Sequence, residues 1–155
     1  MYNRKTVLLI EDSQDDIAFT RRAIDHSAHD IKLIEITDGQ EAIDFLFNTG
    51  KYSNRNTSDI HLILLDINIP RISGLNVLKK IKCNKLFSTI PIVILTSSSN
   101  RNDIIEAGEN GANSYIQKPL TYAKYEQILH NIFSYWFDIN KNILNYKSQD
   151  LTNNF

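Results

Sequence analysis

The stretch Leu62-Ile63-Leu64-Leu65-Asp66-Ile67-Asn68-Ile69-Pro70 decides the fold of this chain. A run of aliphatic side chains that ends near a proline is typical of a strand buried on both faces of a parallel sheet. Asp66 therefore lies where this predicted strand leaves the sheet. Because ligands of open α/β sheets bind at the carboxyl ends of the strands, Asp66 is a candidate functional residue. A carboxylate there can accept a phosphoryl group, bind a metal ion or cap the next turn.

Strand patterns alternate with helix patterns five times along the chain. The predicted strands cover residues 6–10, 31–36, 62–65, 91–95 and 114–116. Each is followed by apolar residues at helical spacing. Ser13 and Asp16, three residues apart, form a predicted capping box at the start of the first helix. The other predicted helix caps are Asp38, Asn100 and Thr121, and the predicted stops of the fourth helix are Gly108 and Gly111. This alternation predicts an α/β fold, in which helices cover both faces of a parallel sheet. We expect one domain over residues 1–140 and a loosely held polar tail over residues 141–155.

Composition narrows the possible functions. The 155 residues carry a net charge of −1 and no block of basic residues, so we expect no binding to nucleic acid or to acidic membranes. No apolar run approaches the roughly 20 residues that span a bilayer. The one cysteine, Cys83, cannot form an internal disulfide, which favours a reducing cytoplasm.

Polar residues suited to phosphate chemistry follow four of the five predicted strands. They are Glu11 and Asp12 after the first strand, Asp66 after the third, Thr96 after the fourth and Lys118 after the fifth. Because parallel strands share one carboxyl edge, these side chains should converge. Three acids in one place repel one another unless a cation neutralises them, and Mg²⁺ prefers such oxygen ligands.

A phosphoryl-transfer site gives each residue a role. Asp66 would attack phosphorus as the nucleophile, and Lys118 would offset the charge of the transferred group. The Thr96 hydroxyl would hydrogen-bond the phosphoryl group once it is attached. Mg²⁺ would be held by Asp12, with Glu11 close by, by Asp66 itself and by the backbone carbonyl of Asn68.

These motifs resemble the receiver domain of two-component response regulators. The intervals Asp66 to Thr96 and Asp66 to Lys118-Pro119 are similar to those of the family, and Pro70 and Gly74 fit its turn after the phosphoacceptor. The stretch Leu64–Arg71 and the aromatic end of the last helix look most like the single-domain regulators that partner cyanobacterial phytochromes. The resemblance implies a flavodoxin-like (βα)5 doubly wound sheet in the order 2-1-3-4-5.

The family resemblance also implies details that no spacing supplies. Tyr115 matches the aromatic that swings inward when the Thr96 hydroxyl moves toward the phosphoryl group. The Lys118–Pro119 peptide bond would be cis. The phosphodonor would be a sensor histidine kinase, of phytochrome type if the closer resemblance holds, and the domain would catalyse only its own phosphorylation and dephosphorylation.

The last predicted helix, whose apolar stripe runs to Trp136, carries more apolar residues than one buried face needs. Tyr122, Phe133, Phe137 and Ile139 lie beside that stripe. A surplus of this kind predicts a partner surface, and the phytochrome-associated relatives suggest a homodimer through this helix. The alternative is that the tail, through Ile143, Leu144 and Tyr146, folds back over it.

Three other functions compete with this interpretation. An aspartyl-nucleophile, Mg²⁺-dependent phosphatase usually has a second acid two residues after the first, where this chain has Asn68. A flavodoxin-like cofactor protein needs a first loop that cradles phosphate, but the acids from Glu11 to Asp16 would repel it. A receiver-fold scaffold that is never phosphorylated would not need Asp66, Thr96 and Lys118 together.

Overall fold

A computed structural model of the chain describes residues 4–55 and 60–141. Its five parallel strands are β1 (Lys5–Ile10), β2 (Ile31–Ile36), β3 (Leu62–Leu65), β4 (Ile92–Thr96) and β5 (Ser114–Gln117). The α-helices are α1 (Gln14–Asp25), α2 (Gly39–Phe47), α3 (Gly74–Cys83), α4 (Arg101–Glu109) and α5 (Tyr122–Ser134). A 3₁₀ turn covers Gly50–Tyr52, and a π-helical turn covers Tyr135–Ile139. The strand order is β2-β1-β3-β4-β5, which confirms the flavodoxin-like α/β prediction.

The central strands are buried because both faces of the sheet are covered. Along β1 and β3, alternate side chains point to opposite faces, as the two-residue period of a strand requires. Leu8 and Leu65 pack with α2 and α3 on one face, whereas Val7 and Leu64 pack with α1 and α5 on the other. Because β1 and β3 pair in parallel, with Ile10 opposite Leu65, their carboxyl ends lie side by side between the two helical layers.

The four predicted cap residues do cap the helices that follow them. The side chains of Ser13, Asp38, Asn100 and Thr121 each accept a hydrogen bond from a backbone N–H in the first turn of the helix that follows. Ser73 does the same for α3. These caps satisfy donors that the first turn leaves without a partner, which is why the helices begin directly after the strand-end loops.

Two of the sequence expectations about α4 and α5 are wrong, and two hold. Gly108 does not stop α4, because an exposed helical glycine costs only about 1 kcal/mol relative to alanine. The predicted stop at Gly111 holds: α4 ends at Glu109, and Gly111 adopts a φ of 86° two residues later. The apolar stripe of the last helix does reach Trp136, which packs against the core from the π-helical turn that continues α5 after Ser134. Phe133 adds no exposed surface, since it is fully buried in the core below α5.

The predicted tail lies mostly outside the described residues, with Ile143, Leu144 and Tyr146 among those not described. Within residues 4–55 and 60–141, no helix has the length and apolar character that a membrane crossing requires.

Candidate functional site

The ammonium group of Lys118 gathers three carboxylates at the carboxyl edge of the sheet. Its Nζ donates hydrogen bonds to Glu11 Oε2 at 2.6 Å, to Asp16 Oδ2 at 2.7 Å and to Asp66 Oδ2 at 2.7 Å. The side chains of Lys118, Glu11 and Asp66 are only 9%, 2% and 7% exposed, and that of Asp16 is 22% exposed. Charged groups with so little exposure to water interact strongly with one another. This cluster therefore dominates the electrostatics at the carboxyl edge of the sheet.

Short-range hydrogen bonds around Ser13 explain how Asp16 reaches this cluster. Ser13 Oγ accepts a hydrogen bond from the N–H of Asp16 at 3.3 Å, which is one half of the expected capping box. The other half is different: the N–H of Ser13 donates to Glu11 Oε1 at 2.9 Å. Because Glu11 caps that N–H, the carboxylate of Asp16 turns to Lys118 instead.

The loop after β3 fixes the backbone around Asp66. The N–H of Gly74 donates to the carbonyl of Ile67 at 2.8 Å, and the N–H of Asn68 donates to Asp66 Oδ1 at 3.1 Å. A Cβ at position 74 would lie 2.0 Å from the carbonyl oxygen of Asp66. Glycine is therefore required at position 74 by the close approach of two backbone segments.

The pKa values at the site reflect burial and the shared ammonium. Burial raises the pKa of Glu11 to about 7, although the hydrogen bond from Lys118 opposes this shift. Burial lowers the pKa of Lys118, but the hydrogen bonds to Asp16, Asp66 and Glu11 outweigh it and hold that pKa above its ordinary value. Lys118 therefore stays charged at neutral pH and is the fixed positive charge of the site.

Thr96 and Tyr115 lie on the neighbouring strands β4 and β5. Thr96 is fully buried, and its Oγ1 accepts a hydrogen bond from the N–H of Ser98 at 3.3 Å. The phenol of Tyr115 donates to the carbonyl of Ser98 at 2.9 Å, and burial raises its pKa. Both side chains thus hold the same β4–α4 loop, while the N–H of Lys118 donates to the carbonyl of Thr96 at 2.8 Å.

The structure brings some of the predicted site residues together but not all of them. Glu11, Asp66 and Lys118 come together, whereas Asp12 is exposed and joins none of them by a hydrogen bond in the described part of the chain. Asp16 is the residue that sequence reasoning missed. Its position in the first turn of a helix that begins at the carboxyl edge could have identified Asp16 as a site residue. The capping box with Ser13 offered a sufficient structural reason for an acid at this position.

The Lys118–Pro119 bond is not cis. Residues 4–55 and 60–141 contain no cis peptide bond, so this expectation from the family resemblance is wrong. The trans isomer is the one that X–Pro bonds ordinarily favour, by about 0.5–1 kcal/mol.

The donor set fits a hard divalent cation in its chemistry. Three carboxylates share one ammonium, so acids outnumber bases, and a further acid, Asp12, lies exposed beside them. Oxygen donors of this kind suit Mg²⁺ or Mn²⁺. Within the described ranges, no group of three His, Cys, Asp or Glu side chains is arranged to hold a metal ion, and the Lys118 ammonium lies among the acids.

Comparison with known protein families tests the resemblance inferred from the motifs. The family model that describes the response regulator receiver domain matches residues 7–130 of this chain. The chain belongs to this family. It is a receiver domain of two-component phosphorelay signalling, which confirms the resemblance drawn from Glu11, Asp66, Thr96 and Lys118.

The similar proteins include two cyanobacterial response regulators, Rcp1 and RcpA. The response regulator Rcp1 of Synechocystis sp. is 36% identical over 134 residues, which are 86% of this chain and 90% of Rcp1. The phosphorylated cyanobacterial phytochrome response regulator RcpA has a TM-score of 0.84 at 33% identity, covering 89% of this chain and 97% of RcpA. The Mn²⁺-bound form of Rcp1 has a TM-score of 0.82 at 35% identity, covering 89% and 98%.

Proposed function

We propose that Asp66 accepts a phosphoryl group from the phosphohistidine of a sensor histidine kinase. The observation that carries this proposal is the convergence of the buried Asp66 carboxylate with Lys118, at 2.7 Å, on the carboxyl edge of a receiver fold. An Asp66 oxygen forms the new bond to phosphorus as the bond from phosphorus to the imidazole nitrogen breaks. The products are an aspartyl phosphate and a free histidine on the kinase.

Each neighbouring side chain has a separate task in this reaction. Lys118 neutralises charge on the phosphoryl oxygens, because it is charged and already within hydrogen-bond distance of Asp66. The Thr96 hydroxyl, on the adjacent strand, hydrogen-bonds the attached phosphoryl group. These groups act only on Asp66 of the same chain, so the domain catalyses its own phosphorylation and dephosphorylation and no other reaction.

The divalent cation is Mg²⁺ in this proposal, held by Glu11, Asp12, Asp66 and the backbone carbonyl of Asn68. When bound, it offsets the charge of the incoming phosphoryl oxygens. The excess of acids over bases supports it, and so does the Mn²⁺-bound form of the similar protein Rcp1. Asp12 remains exposed and is therefore accessible to a hydrated ion.

The signal leaves the site through the β4–α4 loop. Phosphorylation adds a charge of about −1.5 to −2 at Asp66. The Thr96 hydroxyl moves toward this charge and gives up its bond with the N–H of Ser98, and Tyr115, bonded to the carbonyl of Ser98, turns inward with the loop. The outcome is a population shift on the outer surface near α4 and β5.

The partner kinase is a sensor histidine kinase of phytochrome type, and this protein acts in the cytoplasm. The similarity to RcpA and Rcp1 supports this choice of partner. The single cysteine is consistent with a reducing compartment.

A homodimer forms through α5 and the turn after it. A groove beside α5 is lined by Val93, Ser114, Ile116, Ile128, Asn131, Ile132, Tyr135 and Trp136. Tyr135, in this lining, is 48% exposed, and Ile139, in the turn after α5, is 65% exposed. Exposed apolar side chains beside a groove are typical of a partner surface. Sedimentation of wild type and I139E tests this: a concentration-dependent dimer that I139E abolishes is expected, and wild-type monomer throughout contradicts it.

The phosphoacceptor is tested with acetyl phosphate and Mg²⁺, followed by intact mass. Wild type should gain one phosphate, and Asp66→Asn should gain none. Chelation of the cation should abolish the adduct in wild type. An equal adduct in Asp66→Asn would place the acceptor elsewhere, and Asp12→Asn with unchanged dependence on Mg²⁺ would remove Asp12 from the cation site.

A further inference from the structure

Asp16 occupies a place in the site that the proposed phosphoryl transfer does not yet use. We propose that Asp16 is a positioning residue, whose carboxylate holds the Lys118 ammonium beside Asp66; this inference rests on the function proposed above. Asp16 acts through Lys118 and contacts no reacting atom. The assignment follows from three observations about Asp16 and its neighbours.

The first observation is that the Lys118 ammonium has a carboxylate acceptor for each of its three N–H donors. An ammonium has three N–H donors and no acceptor. Lys118 donates to three carboxylates that come from separate elements: Glu11 after β1, Asp66 after β3, and Asp16 in the first turn of α1. A lysine has a long, flexible stem, so its ammonium is fixed in direction only when several acceptors converge on it. Without Asp16, one donor would point to water.

The second observation is that Asp16 has no capping task to perform. At this position in a capping box, the acid would accept the N–H of the cap residue. Here the N–H of Ser13 donates to Glu11 Oε1 instead. Ser13 therefore hydrogen-bonds both residues, since its Oγ accepts from the N–H of Asp16. Glu11 caps the turn with one oxygen and binds Lys118 with the other.

The third observation is that the backbone of Asp16 is held from the core side. Its carbonyl accepts a hydrogen bond from the Thr20 hydroxyl at 2.8 Å. Thr20 Oγ1 lies 3.2 Å from the phenol oxygen of Tyr125 on α5, in the buried core. The first turn of α1 is therefore fixed to α5, and a carboxylate on a fixed turn can position a flexible partner.

The test compares Asp16→Asn with Asp16→Glu and with a matched control, Asp15→Asn. Asp15 is exposed in the same helical turn, and its carboxylate forms no hydrogen bond within the described residues, so its substitution removes the same charge without touching Lys118. The first measurement uses cation-free protein without phosphodonor. Side-chain ¹H–¹⁵N spectra should show a protected Lys118 ammonium signal in wild type and Asp15→Asn, assigned by its absence in Lys118→Met. In Asp16→Asn that signal should be lost to exchange with water.

The second measurement is the rate of phosphorylation by acetyl phosphate at saturating Mg²⁺. For Asp16→Asn the maximal rate should fall about tenfold, while the half-saturating acetyl phosphate concentration stays within about twofold, because misplacing a catalytic group affects the reaction more than binding. Asp16→Glu, which keeps the carboxylate, should recover a large part of the rate, and Asp15→Asn should match wild type.

Each other outcome has a definite meaning. If Asp16→Asn keeps both the Lys118 signal and the wild-type rate, the positioning role is wrong. If the lost rate returns at higher Mg²⁺, Asp16 is a cation ligand and the positioning role is also wrong. If wild type takes up no phosphate, the proposed function fails, while the Lys118 spectrum still reports whether Asp16 holds the lysine.

Discussion

Substitution of Gly74 by alanine should disturb both the stability and the chemistry of the site. The added Cβ would lie 2.0 Å from the carbonyl oxygen of Asp66, 2.7 Å from Cα of Ile67 and 2.8 Å from the carbonyl carbon of Asp66. All three atoms belong to the backbone, so no side-chain rotation relieves the contact. The start of α3 or the β3–α3 loop must move by about 1 Å to restore an ordinary carbon–oxygen contact.

The expected cost follows from that movement. Overpacking costs about 1–3 kcal/mol when side chains can adjust. Because the contact here is with backbone, Gly74→Ala should lower the free energy of unfolding by an amount at the upper end of that range, about 3 kcal/mol. The Asp66 carboxylate moves with its backbone, away from Lys118. Because a misplacement of about 1 Å can cost ~100-fold in rate, phosphorylation by acetyl phosphate should slow by at least tenfold.

Gly108→Ala is the matched control. Gly108 also lies in a helix, but a Cβ there meets no atom within 4 Å. This variant should gain about 0.5–1 kcal/mol from the lower backbone entropy of alanine in the unfolded chain, with an unchanged phosphorylation rate. Urea unfolding followed by circular dichroism gives both free energies. Equal midpoints for the two variants would refute the argument, since the backbone at Asp66 would then yield freely.

Two further predictions concern groups outside the site. Lys82 Nζ donates to the carbonyls of Ser88 and Ile90 and to Asn113 Oδ1, at 2.8–3.1 Å, so Lys82→Met should lose about 2 kcal/mol in urea unfolding. The exposed Lys79→Met should stay within about 0.5 kcal/mol of wild type, and an equal loss in both would show that the three bonds contribute nothing. Burial raises the pKa of Tyr125 to about 12 from 10.0, so its stabilising contribution is complete below pH 10 and is lost as the pH rises toward 12. The free energy of unfolding of wild type should therefore fall relative to Tyr125→Phe by about 1.4 kcal/mol per pH unit in that window, and a constant difference would contradict the assigned pKa.

The sequence predicted most of the fold because its signals are local. The aliphatic run before Asp66 identified a strand buried on both faces, and Ser13, Asp38, Asn100 and Thr121 marked four helix starts, since a cap needs only the residues of the next turn. The order of strands came from the family resemblance, because pairing between distant strands is not written in any short window.

Local signals also misled at particular places. Gly108 looked like a helix stop, but a single glycine cannot end a helix whose neighbours continue to pack, as Ala107 does in the core. Phe133 looked like surplus surface on α5, but the helix leaves its α-helical geometry only after Ser134, so Phe133 still faces the sheet.

What the sequence alone determined is the set of groups at the carboxyl edge: Glu11, Asp66, Thr96 and Lys118 follow strands, and parallel strands end together. Which aspartate joins Glu11 at Lys118 was decided only by the tertiary structure. Asp12 and Asp16 carry the same side chain and lie four residues apart. The choice of Asp16 depends on a lysine 102 residues further along the chain and on Glu11 capping Ser13. Hydrogen bonds between elements so distant are fixed by packing, and packing leaves no short pattern in the sequence.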